Sequence, residues 1–363
     1  MRTLFAAISL LGLLLGSVAW FVNYLSRIPK EVTLVCEIAP SNAGNKVAFV
    51  RVHGEILDKW SGVRDSIAAH TGHNTYPESV RLTLLNVKEH KKCLDLGGVD
   101  ISGSPAWARD DSLLAYVSAY SELNKNDERK RLQIYDVTSD SSDTVFVAND
   151  WFIRSLSFSP ESKHLAFVEN YNNKNLRVLD IDSGNTTVLA SGVNSFYVRW
   201  AVDGKSVFCI RNGLEIWQIA IEDKSKAMLF KGKDMNENYP NILTPSPDGR
   251  QLGFAYAGAF HSLDLETQRV ARWFDCHHYF ITFDWSNEGI CYLDAVDEDA
   301  KKMARVMVYD PIGSTRTEVD VGPYAHVAWL REGVLVVRKD NTELWELTVQ
   351  DKAMKRLFPV SSD

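Results

Sequence analysis

No two cysteines in this chain stand in a CxxC spacing. The five present, Cys36, Cys93, Cys209, Cys276 and Cys291, are odd in number and irregular in spacing. That excludes a zinc ribbon and a dense disulfide framework. They read as single buried thiols, with a Cys36–Cys93 pair the alternative in an oxidising compartment. No GxSxG elbow, HExxH helix, Walker loop or dinucleotide fingerprint occurs, so no familiar catalytic motif is present. An excess of positive charge is missing too. The formal net charge is −7, and beyond residue 30 it is −10, with 37 Lys+Arg against 47 Asp+Glu. An acidic body lacks the positive field that general nucleic-acid binding needs, so no nucleic acid is expected as a partner.

Charge is wholly absent from Leu4 to Leu25, a run of 22 residues whose only polar side chains are Ser9, Ser17 and Asn23. It is long enough to cross a bilayer as a helix. Ser17-Val18-Ala19 offers small residues for signal-peptide cleavage, and secretion after cleavage is the alternative reading. The apolar run continues past that point, through Trp20, Phe21, Val22 and Leu25, longer than a secretory h-region. Residues 1–30 are therefore read as an uncleaved signal anchor, one transmembrane helix. Arg2 on one side roughly balances Arg27 and Lys30 on the other, so orientation rests on the export-like, N-terminal position.

What the rest of the chain has in abundance is repetition. "FSPESKHLAF" from Phe158 has counterparts led by Ile38, Trp107, Trp200, Pro245, Trp285 and Trp329. A second ladder follows the first: short alternating strands holding Asn86, Asp136, Asp180, Gln218, Asp264, Asp310 and Glu346. Each unit reads as four strands. In the third, "SLSFS" is strand A, "HLAFVE" strand B, "LRVLDI" strand C and "TTVLAS" strand D. The A–B turn is S-P-D-G-like, with Pro presetting φ and Asp-Gly tolerating the left-handed conformation. Four strands every 40–45 residues or so is the period of a propeller blade.

On these residues the repeat resembles the WD-like propeller repeat of the TolB family, best at "PSPDGRQLGF" and "FSPESKHLAF". The resemblance implies an all-β fold: a seven-bladed β-propeller of four-stranded antiparallel blades over residues 31–363, behind the N-terminal helix. The expected blades are 31–98, 99–149, 150–192, 193–235, 236–275, 276–321 and 322–363. The separate N-terminal domain of TolB finds no place before the first blade, so TolB's envelope role does not transfer directly. The last unit holds all four of its strands and the first supplies its own strand A from "TLVCEIA", so the ring is expected to close by packing.

In a propeller the B–C and D–A loops share one face, and here they are long and varied. Loops on a rigid scaffold are where binding resides. Ile56, Trp60, Val63 and Ile67 form a helical stripe within the insertion 53–79. Aromatics precede strand A at Trp151, Phe152, Phe196, Tyr197, Tyr239, Tyr279 and Tyr324. Trp60, Trp151, Tyr239, Tyr279 and Tyr324 are the contact candidates, set against packing between blades. His277, His278 and His326 are the candidates for a weaker alternative, a metal or small-ligand site at the channel mouth. The expected function is a non-enzymatic, membrane-tethered propeller, with no cofactor, binding a protein or peptide in the cell envelope. It would sit in the bacterial inner membrane with the propeller in the periplasm. An enzyme at the channel mouth and a structural spacer are the alternatives.

Overall fold

The computed structural model describes residues 31–56, 75–97, 104–119, 129–149, 152–169, 172–233, 240–276, 282–296, 303–340 and 342–359. Every regular element among them is a β-strand, and no helix there is long and apolar enough to cross a membrane. Leu4–Leu25 lies outside the described residues, as do Trp60, Val63 and Ile67. Ile56, placed in a helical stripe by the sequence, instead closes a strand. Contacts divide the chain into a unit of Leu34–Val52 and Ser79–Asp363, and one of Met1–Thr33 and His53–Glu78. Of the smaller unit, only strand ends at 31–33, 53–56 and 75–78 are described.

The larger unit is built on seven four-stranded sheets, each in sequential strand order. Blade 1 is β1 (Glu31–Pro40), β2 (Lys46–Ile56), β3 (Thr75–Asn86) and β4 (Lys91–Gly97). Blade 2 is β5 (Ala106–Trp107), β6 (Leu113–Ala119), β7 (Lys130–Asp136) and β8 (Ser141–Val147). Blade 3 is β9 (Ile153–Phe158), β10 (His164–Glu169), β11 (Asn175–Asp180) and β12 (Thr186–Ala190). Blade 4 is β13 (Val193–Trp200), β14 (Ser206–Arg211), β15 (Glu215–Ala220) and β16 (Lys226–Lys231). Blade 5 is β17 (Asn241–Pro245), β18 (Gln251–Tyr256), β19 (Ala259–Asp264) and β20 (Val270–Asp275). Blade 6 is β21 (Phe283–Ser286), β22 (Gly289–Ala295), β23 (Ala304–Asp310) and β24 (Thr315–Gly322). Blade 7 is β25 (Tyr324–Arg331), β26 (Val334–Lys339), β27 (Glu343–Thr348) and β28 (Met354–Phe358).

Strand composition follows position in the blade. The second strands β10, β14, β18 and β22 are buried along nearly their whole length. A strand covered on both faces has no need of polar alternation, hence "HLAFVE" and "GICYLDA". The fourth strands form the outer edge: β8 and β20 begin with exposed residues. Apolar cores fill the gaps between blades. Val168 and Leu176 of blade 3 meet Val198 and Val207 of blade 4, and Phe274 of blade 5 meets Phe283 and Tyr292 of blade 6. Blades 1 and 7 share a core of Val47, Phe49, Leu85, Leu330, Val336 and Leu357, while keeping separate sheets. The ring therefore closes by side-chain packing, with no strand shared.

The A–B turn is the tile that joins neighbours. In blades 1 to 5 the same bond closes it, from Ser41 N to Lys46 O, Ala108 N to Leu113 O, Ser159 N to His164 O, Ala201 N to Ser206 O and Ser246 N to Gln251 O. Each turn has its left-handed residue at the same place: Gly44, Asp111, Ser162, Gly204 and Gly249, with φ from 58° to 71°. By this register Pro40 is the true partner of Phe158, and Ile38 stands two residues early. The turns also touch in sequence around the ring. The Asp111 carboxylate accepts from Asn42 N at 2.7 Å and Ala43 N at 2.8 Å, and Ser162 Oγ accepts from Arg109 N at 3.0 Å. A Cβ on Gly204 would lie 2.4 Å from the Glu161 carboxylate.

The second ladder has its own physical cause. Asn86, Asp136, Asp180, Asp264 and Asp310 each close strand C, and each side chain accepts a backbone N–H of the following turn. This Asx geometry opens a tight turn. Blades 4 and 7 depart from it. Ala220 and Thr348 hold the equivalent position, bonded across the turn as Asp180 is. Gln218 and Glu346 stand two residues earlier, inside strand C.

Candidate functional site

Tyr324 and His326 are the sequence candidates that fall on described residues; Trp60, Trp151, Tyr239, Tyr279, His277 and His278 lie outside them. Tyr324 is 4% exposed and belongs to the core between blades 6 and 7. Its hydroxyl donates to Asp320. The ring is thus committed to inter-blade packing. Phe152 behaves likewise, at 4% exposure between blades 3 and 4.

His326 sits on the inner strand β25, opposite Arg338 of β26. Burial, with the Arg338 charge adding to it, pushes its pKa down to about 3. The ring is neutral at pH 7, and its Nδ1 is shielded without a hydrogen-bond partner. Arg338 is anchored to blade 1: its Nη1 donates to Val35 O at 3.2 Å and also to Cys36 O. The guanidinium beside His326 opposes a metal cation there.

The inner strands β5, β9, β13, β17, β21 and β25 lie side by side, and side chains of one satisfy amides of the next. Ser157 Oγ accepts from Trp200 N at 3.4 Å, Thr282 Oγ1 from Val327 N at 3.3 Å and Asp284 Oδ2 from Trp329 N at 2.9 Å. Three of the ladder tryptophans add a bond in one direction around the ring. Trp107, Trp200 and Trp329 donate Nε1–H to Ala39 O at 2.9 Å, Ser157 O at 2.8 Å and Gly289 O at 3.1 Å. All three acceptors belong to the preceding blade, so the Trp is a clasp between blades.

Two of the charged residues on these inner strands stand one residue before a ladder tryptophan: Arg199 in "VRW" and Asp284 in "FDW". They come from blades 4 and 6. Burial lowers the Arg199 pKa from its ordinary value, and the charge of Asp284 partly offsets that. Burial raises the Asp284 pKa, and the amide of Trp329 and the charge of Arg199 pull it back. Arg199 Nη1 donates to its neighbour's carbonyl, Val198 O, at 2.9 Å. Opposite charges that interact through space while partly stripped of water are costly to the fold, and such groups concentrate at functional sites. Sequence reading passed over them. The signal was a charged residue immediately before the ladder tryptophan, on a strand whose neighbours are apolar. Being next to the A–B turn, they lie toward the turn end of the inner strand, away from the D–A loops.

No protein-family model matches the chain, and no curated protein matches it in sequence. Solved structures match it in fold. The oligogalacturonate lyase in complex with manganese superposes with a TM-score of 0.62 at 12% identity, over 89% of this chain and 92% of that one. The β-propeller domain of the Trilobed protease from Pyrococcus furiosus, with an open velcro topology, gives 0.60 at 12% identity over 90% and 97%. TolB from Acinetobacter baumannii gives 0.45 at 15% identity over 81% of each chain. At 12% identity the first two likenesses establish the propeller fold alone, and fold by itself does not fix function.

Proposed function

We propose that this chain is a binding propeller, tethered to a membrane by its N-terminal apolar run, that holds a protein or peptide partner in the cell envelope. The observation that supports it most is the Arg199–Asp284 pair. These are two partly desolvated charges of opposite sign on the inner strands, matched to a polar segment that offers both a donor and an acceptor. The partner would first meet the loop-rich face, where Trp151, Tyr239 and Tyr279 stand in sequence before strand A, and reach the inner charges through the ring. Pulldown from solubilised envelope is the test, comparing the wild type with Tyr239→Ala/Tyr279→Ala and with Arg199→Met/Asp284→Asn. Loss of the same partner from both variants is expected. Retention of every partner by both, with circular dichroism unchanged, would overturn the reading. Membrane attachment is tested separately. The full chain is expected to fractionate with membranes and a chain starting at residue 31 with the soluble fraction.

A further inference from the structure

We propose that Arg199 holds a free carboxylate within the ring, through the paired N–H bonds of its Nε–Nη2 edge. The inference rests on the inner strands being the site proposed above, and it narrows what they take to a group of one stated chemistry. The Arg199 side chain is half-buried on β13 and makes one hydrogen bond, from Nη1 to Val198 O. Nε and Nη2 have no partner among the described residues. They are also not sealed from solvent, unlike the unpartnered Nε of Arg211 and of Arg338. That edge is the one that grips a carboxylate with two parallel bonds.

The strand pattern leaves this charge without a counter-ion in contact. Val198 and Trp200 point into the core between blades 3 and 4. Arg199 stands between them on the strand, so it points the other way, as Tyr197 does, toward blade 5. The inner strand there is β17, "NILTP", which carries no charge. On the other side β9 brings Arg154 and no carboxylate. Among the described residues no acid touches Arg199, and Asp284, two inner strands along, acts on it through space. Arginine is almost never buried unless paired. A charge partly stripped of water also attracts an anion more strongly than it would in bulk. Arg338 shows the other solution, for its guanidinium is taken up by the carbonyls of Val35, Cys36 and Ala325.

Asp284 limits the charge of the ligand. Its Oδ2 accepts from Trp329 N at 2.9 Å, and its negative charge repels a second anionic group, so a single carboxylate fits better than a dianion such as phosphate. A polypeptide C-terminus carries one carboxylate, and its capture is a recurring mode of peptide recognition. The N–H donors behind that terminus are favoured by the Asp284 charge. A small organic acid offers the same carboxylate without those donors.

Calorimetric titration of the detergent-solubilised full chain with N-acetyldiglycine tests this, beside its C-terminal amide and acetate. Saturable one-to-one binding of the peptide acid is expected, about tenfold or more tighter than the amide. Arg199→Gln is expected to weaken it about tenfold or more. Arg199→Lys, which keeps the charge without the fork, is expected to lose part of that. Equal binding of acid and amide, no saturation by about 10 mM, or unchanged affinity in Arg199→Gln would overturn the proposal. The comparison of acid with amide uses the wild type, so it decides the matter even if a variant misfolds. Acetate separates the two sources. Acetate bound as tightly as the peptide acid assigns the site to a small organic acid; the carboxylate site then stands while the peptide reading above fails. Weaker binding of acetate assigns the site to a chain end.

Discussion

Cys93 is exposed while Cys36, Cys209, Cys276 and Cys291 are buried, and all five are free. The Cys36–Cys93 pairing that sequence left open is therefore not made. Burial, the leading cause in each case, pushes the Cys36 thiol up to about 11 and those of Cys209 and Cys276 to about 12. Thiolate is the reactive species, so a thiol reagent at pH 8 is expected to label Cys93 in the native protein and all five in denaturant. Peptide mapping of the labelled protein checks this. His326 makes a second residue-scale prediction. Its folded pKa of about 3 lies below the 6.5 of the free side chain. Between those values the unfolded chain binds a proton that the folded chain refuses, so stability falls as pH drops from 6.5 toward 3. The slope from this group is at most about 1.4 kcal/mol per pH unit. Urea titrations at pH 7 and pH 5 are expected to show a smaller loss for His326→Gln than for the wild type.

At the scale of the element, the turns carry the repeat. All seven C–D turns place a residue at positive φ: His90, Asp140, Gly184, Lys224, Gln268, Ser314 and Lys352. Glycine is the natural occupant of that conformation, yet it stands in one of the seven. The ladder was legible through the Asx residue that opens the turn, and illegible through the left-handed residue that ends it. Gln268 has φ 55° and is exposed. Gln268→Gly relieves the Cβ clash against the added freedom of the unfolded chain, and is expected to stabilise by about 0.5–1 kcal/mol. A urea midpoint unchanged or lowered would show the turn to be strained by something else. The same logic explains "FSPESKHLAF". Ser162 takes the left-handed place held by Gly249 in blade 5, and its hydroxyl binds the neighbouring blade. The departure from S-P-D-G thus gains a contact between blades.

For the ring as a whole, closure between blades 1 and 7 is the seam where the first and last blades meet. Arg338 reaches Cys36 across 302 residues of sequence, and Phe49 packs on Phe358 at 5.0 Å between centroids. With no strand shared, these side chains replace the backbone ladder that would otherwise lock the ring. Phe49 is 0% exposed. Phe49→Ala is expected to cost about 3–5 kcal/mol. Hydrogen exchange should then rise first in β1 and β28, the strands at the seam, because opening there breaks side-chain packing alone. Uniform loss of protection in all seven blades would mean that the ring unfolds as one unit and the seam has no special weakness.

The amino-acid sequence by itself determined the blade. Strand period, turn chemistry and the order A to D are set by neighbours a few residues apart, so two ladders of short motifs revealed them. It also carried the closure by packing, because the first and last units each hold four strands. What only the tertiary structure decided depends on which distant residues a face brings together. Tyr324 precedes strand A as a binding aromatic would, yet the next sheet covers it. Arg199 and Asp284 are 85 residues apart in sequence, and each feels the other's charge because two inner strands of one ring carry them. Periodicity is local and can be read along the chain; adjacency across a ring cannot.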